Sequence, residues 1–414
     1  MAEKLKTPLD CRRYPILERT VGREGDRPLV YLDSAATSLV SEQVAGACTS
    51  FLHTSCANIH RGAHILAEEA TDAYEGARER LARFFGVEDA DRFVFTHGAT
   101  ESLNLAALGW ADRWLRPGDV VAVAEDNHHA NIVPWQMLAE RRGVRVEWIP
   151  VNSAGLLDYD AWCRIAEARP RLVALCQQSN VLGAPQPDGL RIAREAQGLG
   201  ATVALDGAQA AGHGPVAVDR LPCDFYSCSA HKMGGLTGIG ALMLSERAAA
   251  EMNPVFGGGG MISRVQRAGY EPAPMPAALE AGTPPIAAAV AWAAAVDELE
   301  EAGLAAIAAH TSRLAERARH GLAALPGVTV LGNGMPGSFS SLASFTVKGM
   351  HPHDVSQALD DAGVMVRAGH HCAQPLHQAL DARASVRASF AGYSTEEDVD
   401  ALVDALSLAL EDVR

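Results

Sequence analysis

The chain has little of what marks several common protein classes. Its eight cysteines, at positions 11, 48, 56, 163, 176, 223, 228 and 372, include no CxxC pair and no paired Cys/His zinc spacing. Neither a disulfide framework nor a structural zinc site is expected, and the cysteines read as reduced thiols of a cytoplasmic protein. No basic run interrupts a formal charge of −15, which argues against a nucleic-acid surface, because phosphate contacts need clustered Lys and Arg. No stretch stays apolar for the ~20 residues of a membrane helix; the longest run, 286–296, stops at Asp297 and reads as a buried alanine-rich helix. No apolar signal-peptide core is expected in the opening MAEKLKTPLDCRRYP. Internal repeats and low-complexity linkers are also missing. What remains is a globular composition, 48% hydrophobic and 21% charged over 414 residues, enough for two or three domains. Small molecules and protein partners are the expected ligands.

The pattern along the chain is that of an α/β protein. Runs at 93–96, 120–123, 144–149, 172–175 and 202–205 are apolar on both faces, as buried parallel strands are, and 224–227 and 239–244 add two candidates. Helical stretches separate them, which predicts a mostly parallel sheet covered on both sides, with ligands at the carboxyl ends of its strands. A helix is expected near Ser41, and Ala70, Ala73, Tyr74, Ala77, Leu81 and Phe84 give another helix an apolar stripe. A helical region from Pro284 toward Ala324 leads into an α+β unit, with strands at 342–347, 364–367 and 385–390 and helices at 353–362 and 395–410. Ser394 and Glu397 resemble a capping box for the last helix. The expected division is a large domain at 20–290 and a small one made of 1–19 and 291–414.

Several residues at predicted strand ends could carry chemistry. Lys232, between a polar approach and a glycine-rich exit, could form a Schiff base with an aldehyde cofactor, although most lysines are solvated surface charges. Gly98 to Leu103 opens a helix whose N-terminus, with Thr100, suits phosphate or is simply a capped start. His128 and His129 follow a strand, where an imidazole could stack on a flat ring or belong to a polar loop. Asp206, also at a strand end, could hold a pyridinium N–H or cap the next helix. Cys372 is close in sequence to Arg367, His370 and His371, a setting that favours thiolate, whereas a lone cysteine is usually a small buried hydrophobe. The run 257–260 reads alone as a flexible surface loop.

Taken together, Gly98-Ala99-Thr100-Glu101, His128 to Trp135, Asp206 to Gln209, Ser229-Ala230-His231-Lys232, Glu280-Ala281-Gly282-Thr283-Pro284 and Arg367 to Leu376 resemble the group II (SufS-type) cysteine desulfurases. The resemblance runs from Tyr31-Leu32-Asp33-Ser34-Ala35-Ala36 to Arg387-Ala388-Ser389-Phe390 with the motifs in family order. It implies the pyridoxal 5'-phosphate-dependent transferase fold of type I, class V aminotransferase superfamily, with a mostly parallel seven-stranded sheet in the large domain and a smaller α+β C-terminal domain. Lys232 would bind the cofactor covalently, Asp206 would pair with the ring nitrogen, Gln209 would bond the ring oxygen and His128 would stack and move protons at sulfur. Ala99, Thr100, Ser229 and His231 would hold the phosphate, joined by Thr283 from the other subunit of a homodimer. Asn180, Arg387, Arg367 and His370 would bind substrate, Cys372 would take the sulfur, and no metal is implied. His60 and Arg61 match a family segment near the active site.

The implied reaction converts L-cysteine to L-alanine and leaves a persulfide, for iron–sulfur or other sulfur-containing cofactor assembly through a SufE- or SufU-like acceptor. A selenocysteine lyase, a C–S lyase or an aminotransferase of the same superfamily is the alternative. The chain departs from the family at Asn127, where relatives usually carry Glu, at Met233-Gly234-Gly235-Leu236, and at Ser394.

Overall fold

The computed structural model describes residues 7–333, 335 and 341–411. Seven strands form the central sheet: β1 (Phe93–Thr96), β2 (Val120–Ala124), β3 (Arg145–Ile149), β4 (Leu172–Cys176), β5 (Thr202–Asp206), β6 (Phe225–Ser229) and β7 (Gly240–Leu244). They lie in the order β1-β7-β6-β5-β4-β2-β3. β7 alone runs antiparallel to its two neighbours, β1 and β6; the other pairs are parallel. Apart from β3, whose residues are mostly half-buried, and Cys176 in β4, the strands are buried throughout, which is why they read as continuous apolar runs.

One apolar layer joins the sheet to the helices Glu42–Thr54, Ile65–Phe84 and Ile286–Ala302; the opposite layer carries Trp110, Trp135 and Leu138. Ser41 caps the first of these helices by accepting the Val44 N–H. The expected single helical region beyond Pro284 is two helices, Ile286–Ala302 and Leu304–Ala324, parted by Gly303 at φ 82°. The first packs on the large sheet's helices, and the second joins a separate core with Leu32, Phe345, Val386 and Leu402. That core belongs to a four-stranded antiparallel sheet ordered β8 (Val328–Val330), β9 (Leu342–Val347), β11 (Ser385–Ser389) and β10 (Arg367–Gly369).

Two sequence-based details change. The strand expected at 364–367 is split: Val364–Met365 pairs in parallel with Val30–Tyr31, and Arg367 starts β10. The final helix, Glu396–Glu411, starts with Thr395 and Asp398 bonding each other's backbone N–H groups (3.2 and 2.8 Å). The box is therefore one residue later than Ser394/Glu397, because the Ser394 hydroxyl is used to accept the Ala391 N–H. A hairpin of Ile262–Gln266 and Gly269–Pro272 also forms; its residues are mostly exposed and give no buried-face pattern. Positions 1–6, 334, 336–340 and 412–414 of the expected small domain lie outside the described residues.

Candidate active site

The carboxyl ends of β1, β2, β4, β5 and β6 converge on one cavity of about 270 Å³. Lys232 lies on its wall with Ala99, Thr100, His128, Asn180, Asp206, Gln209, Ser229, His231, Arg367, Cys372 and Arg387. Residues spread over nearly 300 positions thus form one site. His370 and Thr283 are not on this wall. The His370 ring sits edge-on to His377, and Thr283 lines a second cleft of about 230 Å³ with His60, Arg61 and Glu280.

Lys232 follows β6 in a short turn, and burial, the largest influence, brings its amine down to about 8, opposed by Asp206. Burial raises the Asp206 carboxyl, offset by a bond from the Ala208 N–H (2.9 Å) and by Lys232. Ser229 Oγ accepts the Ala99 N–H at 2.8 Å, tying the helix start after β1 to β6. The close approach needs glycine: a Cβ on Gly240 would lie 2.4 Å from the Cys228 oxygen and 2.6 Å from Gly98 Cα. Beyond the lysine, Gly234 takes φ 78°, and a Cβ on Gly235 would meet Ala230 Cβ at 2.9 Å, so this turn demands small residues.

His128 Nδ1 accepts the Ala130 N–H (3.0 Å), which leaves the imidazole proton on Nε2. Burial first, then Lys232, His129 and Arg387, hold the ring near pKa 3, so it stays neutral. Asn127 is fully buried and donates to the Ala174 carbonyl (2.9 Å), while Asn131 donates to Asn127 and to Leu175 and accepts from Trp135 Nε1. An amide suits this position because a carboxylate would face a carbonyl oxygen.

The small domain supplies the opposite wall. Arg367 and Arg387 are direct neighbours across β10 and β11, and Asp33 lies between them: Arg367 Nη2 donates to it at 2.9 Å and Arg387 Nη2 at 3.5 Å. Arg387 is buried and also donates to the Asn180 carbonyl (3.0 Å). Asn180 in turn donates to the His371 carbonyl at 2.6 Å, holding the Cys372 loop. The Cys372 side chain is exposed, and its negative form stabilises the charges of Lys232, Arg367 and Arg387, which places thiol and lysine in one electrostatic neighbourhood.

Sequence reasoning assigned no role to Gln178 or Cys176 on the wall or to Asp33 between the arginines, and took His129 only together with His128, as a stacking ring or a polar loop. His129 donates its backbone N–H to the Cys372 carbonyl (2.7 Å) and accepts the Gln374 N–H at Nε2 (3.1 Å). Only contacts distant in sequence reveal these roles.

Gln178 Nε2, Gln209 Oε1 and His231 Nδ1 are buried at the cavity without a hydrogen-bond partner. Buried polar atoms are normally paired, so the cavity is built for a polar ligand. Lysine for an aldehyde, buried aspartate for a ring nitrogen, and a hydroxyl at a helix start for a phosphate fit pyridoxal 5'-phosphate. Fold and site together define a pyridoxal phosphate enzyme of fold type I.

The class-V aminotransferase family matches residues 30–402. A probable cysteine desulfurase of Streptomyces coelicolor is 43% identical over 406 residues, covering 97% of this chain and 96% of that protein. A crystal structure of a cysteine desulfurase from Escherichia coli superposes with a TM-score of 0.86 at 40% identity, covering 92% of this chain and 94% of that one. The apo cysteine desulfurase of Thermococcus onnurineus gives a TM-score of 0.89 at 36% identity over 93% and 95% of the two chains. The chain belongs to the class-V aminotransferase family and, within it, to the cysteine desulfurases.

Proposed function

We propose that the protein takes the sulfur of L-cysteine onto Cys372 and releases L-alanine. The observation that carries this reading is the meeting of Lys232 and Cys372, from two domains, at one cavity whose far wall presents Arg367 and Arg387. Cysteine's Cβ–Sγ bond breaks, a sulfur–sulfur bond forms at Cys372, and Cβ gains a proton, so sulfur leaves as a persulfide.

Pyridoxal phosphate supplies an aldehyde for lysine and substrate amines and a protonated ring that draws electrons. Lys232 would hold it, with an amine that burial leaves partly neutral near neutral pH and that, as a free base, would take the substrate Cα proton. Asp206 would pair with the ring nitrogen. Ser229, His231 and Thr100 would hold the phosphate, with the Ala99 N–H joining them on release from Ser229 Oγ, while Gln209, fixed by its Nε2 bond to the Ala35 carbonyl (2.9 Å), would lie beside the ring. Arg387 and Arg367 would receive the substrate carboxylate beside Asn180; His370, off the cavity wall and against His377, takes no part in this reading. His128 would stack on the ring and offers an Nε2–H donor, and its low basicity gives it a neutral role at the sulfur in place of a cationic acid.

The chain is read as the group II type and acts as a homodimer in which Thr283 reaches the partner's phosphate site. In support, Thr283 is exposed and away from this chain's own Lys232 cavity, beside a hairpin exposing Val265 and Tyr270. A SufE- or SufU-like protein receives the persulfide in the cytoplasm. Among the described residues no helix is long and apolar enough to cross a membrane.

The test is mass analysis of the Cys372 peptide after incubation with cysteine, with alanine measured alongside. One added sulfur per alanine is expected; pyruvate and ammonia with an unmodified Cys372 would reject the reading. Cys372→Ala keeps the cofactor absorbance and loses persulfide. If that variant handles selenocysteine at the parent rate while failing on cysteine, selenocysteine lyase becomes the better description.

A further inference from the structure

The Cys372 loop rests on a chain of side chains that the reaction itself does not use. His371 and Cys372 both have left-handed backbones, at φ 51° and 55°. Such conformations are strained for residues with a side chain and persist where the surroundings over-determine them. Beneath the loop, His371 Nε2 lies 3.0 Å from Ser385 Oγ, Ser385 Oγ lies 3.0 Å from His377 Nε2, and His377 Nδ1 lies 2.9 Å from the Ala373 carbonyl. Ser385 is fully buried at the start of β11, His377 is buried on the helix Gln374–Ala379, and His371 is 8% exposed.

The proton positions follow from chemistry. A carbonyl only accepts, so His377 carries its proton on Nδ1, and its neutral Nε2 accepts from the Ser385 hydroxyl. Ser385 Oγ then accepts from His371 Nε2–H. The chain starts at the residue before Cys372 and ends at the residue after it, closing a ring beneath the thiol. Burial, the first cause for both imidazoles, lowers their basicity, to about 2 for His371, and so keeps the directions of the bonds fixed.

We propose that Ser385 and His377 are positioning residues that hold Cys372 in register for sulfur transfer by locking the His371 ring. The proposal rests on Cys372 being the sulfur acceptor. A thiol displaced by an ångström loses about a hundredfold in rate while substrate binding on Lys232, Arg367 and Arg387 is untouched.

The experiment uses the full-length holoenzyme and the variants Ser385→Ala, Ser385→Thr and His377→Met. Cofactor absorbance, KM, kcat for alanine formation and the rate of Cys372 alkylation by iodoacetamide are measured. Ser385→Ala and His377→Met are expected to keep the absorbance and KM, to lose about tenfold to a hundredfold in kcat, and to alkylate at a rate clearly different from the parent's as the Cys372 side chain shifts with its loop. Ser385→Thr, which keeps the hydroxyl, restores most of both rates. Parent-like kcat and alkylation in Ser385→Ala overturn the proposal, as does failure of threonine to rescue. Loss of cofactor absorbance in both Ser385→Ala and His377→Met would also overturn it, by assigning the chain to general folding. Alkylation requires no desulfuration, so it reads loop position even if the parent adds no sulfur to Cys372, the separate result that rejects the function.

Discussion

Replacing Lys232 by methionine is expected to stabilise the cofactor-free protein. The amine titrates at about 8 in the fold against 10.5 unperturbed, chiefly through burial. At about 1.4 kcal/mol per pKa unit, the fold carries a penalty of about 3 kcal/mol for this one group. The sign follows from proton counting. Below pH 8 the amine is charged in both states and the penalty is full; between about 8 and 10.5 the unfolded chain binds more protons than the native one, so native stability rises with pH. Above 10.5 the difference vanishes. Methionine has similar length and no charge, so urea unfolding of cofactor-free protein is expected to favour Lys232→Met by about 3 kcal/mol at pH 7 and by about 1 at pH 9.5. Equal stability of parent and variant at pH 7, or a gap that does not shrink with pH, would refute the burial argument. The functional counterpart is an amine roughly a tenth neutral at pH 7, about three hundredfold more than a solvent-exposed lysine.

Other parts of the framework are testable in the same way. Glu280 accepts from Arg78 Nη1 and Nη2 (2.6 and 2.8 Å), from the Phe95 N–H (2.7 Å) and from the Tyr74 hydroxyl (3.0 Å). Glu280→Gln is therefore expected to cost about 3 kcal/mol in urea unfolding, the scale of a broken buried ion pair; an unchanged midpoint would disprove that anchoring role. Asn127→Asp replaces the donor facing Ala174 with a carboxylate and should lose about 1–3 kcal/mol, less at pH 4 than at pH 7 because the protonated acid can still donate. Thr395→Ala should cost about 1 kcal/mol and Glu397→Ala close to nothing; the reverse order would return the cap to Ser394.

Legibility in the sequence followed burial and locality. The strands were readable because most are buried on both faces, and for the same reason the reversal of β7 was hidden: a strand apolar throughout has no polarity to reveal its direction. Lys232 could have been singled out more simply, since the chain has only Lys4, Lys6, Lys232 and Lys348 among its 35 basic residues. Glu280 belonged to a recognisable motif, yet its partner Arg78 is 202 positions away, so its structural task could not be read locally. Asp33 and Ser385 had no local signal either. Each is defined by what another domain or strand brings to it.

The three imidazoles on the cavity wall add a last consequence. Burial is the largest cause of lowered basicity in each: about 3 for His128, about 4 for His231 and about 2 for His371. None changes charge between pH 5 and 8, so the field at the cavity belongs to Lys232, Asp206, Arg367, Arg387 and Asp33. A neutral ring suits each position: His128 as a flat surface with one fixed donor, His231 beside a phosphate without repelling Lys232, and His371 as a member of a directional chain. The profile of kcat/KM against pH should then show no limb near the ordinary histidine value of 6.5. A limb there that disappears in His128→Gln would show that His128 titrates in the free enzyme, and the neutral role assigned to it would have to be abandoned.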